Sequence, residues 1–178
     1  MTRYALLLRG INVGRAHRVA MADLRELLSS QGHGGVRTLL QSGNVVLDAD
    51  LAADDLARSV EQALEERFGF PVPTVARTAE ELRAVVAEDP LRAVATDPTR
   101  YVVTFFAGPV PTGLVERLRG TDPGDDAFAV DGRELYVWCP HGQLHSPLVA
   151  AAGAHRGGPT GTARNWATVG KLAALLEG

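Results

Sequence analysis

Three short segments gather the residue types that hold anions: "RGINVG" at 9–14, "QSGN" at 41–44 and "TARNW" at 162–166. Arg9, Arg15, Arg18 and Arg164 are planar, forked donors suited to phosphate or carboxylate. Asn12, Gln41, Asn44 and Asn165 supply carboxamides, and Ser42, Thr162 and Thr168 supply hydroxyls. Gly10, Gly14 and Gly43 let backbone N–H groups approach a ligand. Lys171, the single lysine beside 17 arginines, adds one compact ammonium. Each segment also has an ordinary use. Asn and Gly are turn residues, and Thr162 or Asn165 can cap a helix. No segment marks a site by itself; a site requires the three to converge.

Other chemistries find less material. Cys139, His141, His145 and His155 lack the ligand pairs of a closed zinc site, so no metal is expected. Cys139 reads as a buried strand-end thiol rather than a nucleophile. No phosphate loop, dinucleotide fingerprint, serine-hydrolase elbow or carboxylate pair is present, so no cofactor is expected and no catalytic residue is assigned. Ser42 and His17 are the two side chains that an enzyme reading could use as nucleophile or base. Acids concentrate in stretches such as "EQALEERF" and "DPGDD", which read as solvated surface.

The elements that must position these residues are legible from periodicity. "YALLLR" (4–9) is a strand, and Met21, Leu24, Leu27 and Leu28 define a helix at 20–31. "VRTLLQ" (36–41) and "NVVLD" (44–48) flank Ser42–Gly43 as a hairpin. Leu56, Val60, Leu64 and Phe68 place a helix at 53–68. "PVPTVAR" (71–77) is a strand whose two prolines require an edge. The order is the split βαβ, ferredoxin-like βαββαβ arrangement. A helix over 78–88 opens with a Thr78/Glu81 capping box.

The pattern then restarts: strand 101–107, helix 112–119, strands 127–130 and 134–139 around Asp131–Gly132, and a short helix at 146–152. In place of a fourth strand comes the glycine-rich "GAHRGGPTG" (153–161), and then a helix at 166–176. The fold class expected is therefore α+β: a ferredoxin-like unit at 1–77, a helical linker at 78–100, and a second related α+β unit at 101–178 ending in a helix. The two halves share topology without evident residue identity.

In the first unit, strand direction puts the loop after strand one and the bend at Ser42–Gly43 at the same end of the sheet. The same count in the second unit puts "TARNW" at the corresponding end, where it would open a helix whose N-terminus attracts anions. The bounds on the whole are ordinary. The chain has 178 residues, 46% of them hydrophobic and 22% charged, with a net charge of −3. There is no global basic field to hold nucleic acid, so such affinity would need a local patch. One cysteine and no apolar run near a membrane span fit a cytoplasmic protein with no membrane partner.

"YALLLRGINVGRAHRVAMADLRELL", "VRTLLQSGNVVL" and "TARNWATVGKL" together resemble a bacterial family of uncharacterised proteins known as domain of unknown function 1697. The resemblance implies a two-part α+β protein whose first part is ferredoxin-like, and it implies no reaction. The chain departs from the family pattern at Ala163 and Ala167, and at Pro147, where a lysine is usual.

The expected function is a binding protein for a phosphate- or carboxylate-bearing ligand, a nucleotide or a nucleic-acid end among them. The rim would be formed by 9–14, 41–44 and 162–168, with Arg9, Asn12, Gln41, Ser42, Asn44, Arg164, Asn165 and Lys171 as ligand-binding residues. The alternatives are an enzyme acting on a phosphorylated or acyl substrate at the same rim, or an RNA-binding module stacking bases on Tyr101, Phe105, Phe106, Tyr136 and Trp138. Oligomeric state is left open.

Overall fold

The computed structural model describes all 178 residues. The chain runs β1 (Thr2–Leu8), α1 (Met21–Ser30), β2 (Gly34–Leu39), β3 (Asn44–Ala49), α2 (Ala53–Phe68), β4 (Thr74–Thr78) and α3 (Ala79–Ala87). It continues with β5 (Tyr101–Phe106), α4 (Thr112–Arg119), β6 (Ala127–Asp131), β7 (Glu134–Trp138), a 3-10 turn at Gln143–His145, α5 (Pro147–Ala154), β8 (Gly161–Asn165) and α6 (Trp166–Glu177). Two four-stranded antiparallel sheets result, ordered β2–β3–β1–β4 and β6–β7–β5–β8.

In the first sheet β1 is central, between β3 and β4. Its residues Tyr4 to Leu8 are all buried, which is why they read as an unbroken apolar run instead of an alternating one. Tyr4, Leu6 and Leu8 meet Leu24, Leu56 and Val60 from α1 and α2 in one core cluster. The helical face spacing seen in the sequence is thus the core face. Truncating one such leucine to alanine costs about 2–5 kcal/mol. β4 takes the edge position expected for it. Pro71 and Pro73 lie ahead of the strand rather than in it, because the ladder begins only at Thr74. Thr78 and Glu81 form the expected capping box at α3: Glu81 N–H donates to Thr78 Oγ1 at 3.0 Å and Thr78 N–H to Glu81 Oε2 at 2.8 Å.

The second sheet repeats the topology, with a core that includes Phe106, Leu114, Leu118, Leu135, Val137 and Leu148. Here one expectation is corrected. The sequence suggests a loop where a fourth strand would lie, yet 161–165 forms β8 and pairs with β5. The reason is compositional. The two inward side chains of β8 are Thr162 and Arg164, both buried, so the strand carries no apolar alternation to announce it.

Compact units comprise 1–87 with 171–178, and 88–170. This differs from the sequence division at two places: α3 groups with the first unit instead of forming a linker, and so does the last part of α6. Within the first unit, Arg37 Nη2 donates to Leu175 O at 2.8 Å and Arg3 Nη1 to Leu176 O at 3.3 Å, which satisfies carbonyls left open at the helix end. No helix is long and apolar enough to cross a membrane.

Candidate functional site

The end of β1 organises the first unit's polar loops. Leu8 N–H donates to Gly43 O at 2.8 Å, and Arg9 N–H donates to Pro73 O at 2.9 Å. So the 9–20 loop, the 40–43 turn and the stretch before β4 share one end of the sheet, as strand direction implied. Gly43 is required there. It has φ +90°, and a Cβ on it would lie 2.8 Å from both Ile11 Cδ1 and Leu8 Cβ. The turn spans four residues rather than the expected two, since β2 stops at Leu39 and Leu40 takes φ 60°.

The loop is built around Asn12. At φ 56°, its Oδ1 accepts from Val19 N–H at 2.9 Å, while Nδ2 donates to Val19 O at 2.8 Å and to Gln41 O at 2.7 Å. Its own N–H donates to His17 O at 3.0 Å. Buried Ile11 and Val19 anchor the two ends of the loop, and 13–18 is left exposed between them. Asn44 is equally committed: fully buried, it donates to Leu39 O at 2.8 Å and Ser42 Oγ at 3.1 Å. These two carboxamides shape the tip instead of facing outward from it.

The outward groups are Arg9, Arg15, His17, Arg18, Gln41 and Ser42. Arg18 Nη1 returns to Gly14 O at 3.2 Å. The His17 ring, held at φ 52°, stacks on Phe70 with centroids 4.4 Å apart and planes 17° from parallel. Phe70 in turn lies 6.4 Å from Phe68, and Arg67 sits 5.2 Å over the Phe68 ring. No acidic residue occurs within 9–22, 34–47 or 69–79, the segments reaching this end. Carboxylates near this end come from the helices: Asp23 lies in the first turn of α1, and Glu61 Oε1 of α2 accepts from Thr74 N–H at 2.7 Å.

In the second unit, register corrects the placement of "TARNW". Asn165 lies opposite Val102, at the start of β5, while Gly161 lies opposite Phe106 at its end. The loop after β5 is therefore at the other end of that sheet from Asn165, separated by roughly 13 Å of extended chain. The unforeseen strand β8 causes this, because it carries the chain back along β5. Asn165 Oδ1 caps α6 by accepting from Thr168 N–H at 2.9 Å. Arg164 is buried, with Nη1 donating to Thr162 Oγ1 and to Ala163 O, each at 2.8 Å. Burial pushes its guanidinium down to about 10, so it stays charged at neutral pH. Trp166 packs on Tyr101 at 4.9 Å. Lys171 is exposed on α6.

The structure also reveals a residue-level repeat that composition hid. Ala76–Arg77–Thr78 and Ala163–Arg164–Asn165 both close an edge strand. Each arginine is buried and donates to the carbonyl of the alanine before it, and each third residue caps the following helix. An Ala-Arg pair followed by a capping residue and an apolar-periodic helix was the available signal.

Other constellations resolve locally. Cys139 is buried, its Sγ donating to Arg100 O at 3.1 Å, and burial raises its thiol pKa. His141 pairs with Asp125 at 2.7 Å, and no group of three or more His, Cys, Asp or Glu is placed to hold a metal. Tyr101, Phe105 and Tyr136 are 0–1% exposed, so the stacking platform that an RNA-binding sheet needs is not open.

A family model of proteins of unknown function, DUF1697, matches residues 1–136. The chain belongs to the DUF1697 family. The match takes in the whole 9–20 loop and the 40–43 turn, whereas β8 and α6 lie beyond it. The solved structure of conserved bacterial protein SP0830 from Streptococcus pneumoniae shares the fold with a TM-score of 0.75 at 22% identity, over 98% of each chain. No curated protein matches the sequence.

Proposed function

We propose that this DUF1697 member binds a phosphate- or carboxylate-bearing ligand at the tip of its first unit. The carrying observation is the exposure of Arg9, Arg15 and Arg18 on loops that contribute no carboxylate and are held in shape by the hydrogen-bonded carboxamides of half-buried Asn12 and buried Asn44. A guanidinium on a loop fixed in this way loses little backbone freedom when it engages an anion. Gln41 and Ser42 add neutral donors at the same edge. Arg164 and Asn165 are accounted for locally, as a buried strand arginine and a helix cap, and are not needed.

The enzyme reading has less support. Ser42 Oγ accepts from Asn44 rather than meeting a base, and His17 is stacked on Phe70. The test is a thermal-shift titration with inorganic pyrophosphate and citrate on the parent and on Arg9→Ala/Arg15→Ala. The parent melting point rises with ligand and that of the variant does not. An equal rise in both would place the anion elsewhere.

A further inference from the structure

Resting on the anion reading, we infer that the ligand carries a flat ring as well as its anion: the tip is built for a nucleotide, with the base stacked on the open face of His17. The rings of Phe68, Phe70 and His17 form a short column that begins at the end of α2: Phe70 is tilted 37° against Phe68 at 6.4 Å, and His17 stacks on Phe70 at 4.4 Å. The inner rings are half-buried against the core, whereas His17 is exposed, so the column ends in solvent with one face covered and one open. Holding that last ring there has a backbone cost. His17 adopts φ 52°, a left-handed conformation uncommon outside glycine, and its carbonyl is tied to Asn12 N–H at 3.0 Å. A solvated loop histidine needs neither the stack nor the strain.

Arg15 and Arg18 flank the ring in sequence, and Arg9 begins the same loop. A ring placed on His17 thus brings any phosphate it carries into the range of those guanidiniums. Stacking is tolerant of base identity, because every base offers a π-face, so the site would favour nucleotides as a class. The nearby Arg67 is already engaged over Phe68 and acts from beneath the column.

The experiment titrates AMP and ribose 5-phosphate into the full chain by calorimetry, following the adenine protons by NMR. The parent is compared with His17→Asn, which removes the ring and keeps a residue at ease with positive φ. AMP should bind roughly tenfold more tightly than ribose 5-phosphate, with adenine protons shifted upfield by the ring beneath. His17→Asn should abolish that preference and the upfield shift while leaving ribose 5-phosphate affinity as it was. Equal binding of the two ligands to the parent, or a preference that survives His17→Asn, overturns the inference and leaves the anion site standing. Failure of the parent to bind either ligand while pyrophosphate or citrate still raises its melting point overturns the inference alone, and loss of that rise as well overturns both.

Discussion

The side chain of Asn12 grips the peptide of Val19 from both sides, accepting from its N–H at 2.9 Å and donating to its carbonyl at 2.8 Å. The carboxamide thereby does what a paired strand residue would do. It closes an exposed loop of arginines without help from a sheet, and its remaining hydrogen reaches Gln41 O to join the loop to the neighbouring turn.

Removing that grip should be costly. Asn12→Ala loses three hydrogen bonds and puts alanine at φ 56°, for a destabilisation of about 2–4 kcal/mol. Asn12→Gly loses the bonds but not the conformation, and should cost about 1 kcal/mol less. Urea titration of both variants measures the difference. A loss under about 0.5 kcal/mol in Asn12→Ala would mean the loop is held by something else.

Gly43 and Gly10 both have positive φ, yet only one is confined. A Cβ at Gly43 would lie 2.8 Å from Ile11 Cδ1 and Leu8 Cβ, whereas one at Gly10 has nothing within 4 Å. Gly43→Ala should therefore add overpacking to backbone strain and cost more than about 2 kcal/mol. Gly10→Ala should cost about 1 kcal/mol, from strain alone. Similar melting points for the two variants would contradict the contact geometry.

Burial lowers the His33 pKa below its ordinary value, and His33 Nε2 is shielded from solvent with no hydrogen-bond partner. The unfolded chain then binds the proton more readily than the folded one. Stability is fully present above about pH 6.5 and falls as pH drops below that value toward the folded pKa. Asp97, lowered by its Thr99 hydrogen bonds, acts only near the carboxylate range and leaves this window clear. Urea midpoints at pH 7.5 and 5.5 should differ in the parent and differ less in His33→Gln.

Arg37 and Arg3 donate to the carbonyls of Leu175 and Leu176, at the negative end of the α6 dipole. Arg37→Ala should fray the last turn, so amide exchange at 174–177 should accelerate several-fold while exchange in β1 stays unchanged. Uniform acceleration through both elements would point to global destabilisation instead.

The sequence by itself determined every strand but β8 and the main helices, since periodicity reports the face each element buries: Leu24 and Leu28 on α1, and Leu56, Val60 and Leu64 on α2. It also determined that the 9–20 loop meets the 40–43 turn, because strand direction alone requires it. Only the tertiary structure decided three other matters. β8 is stabilised by pairing with β5 and by burial of Thr162 and Arg164, and polar residues buried in that way leave no apolar pattern to read. Its existence reversed the placement of Asn165. Asn12 and Asn44 looked like ligand donors because a residue type states its hydrogen-bonding capacity and not its partner. The partners, Val19, Gln41 and Leu39, exist only once the chain has folded around them.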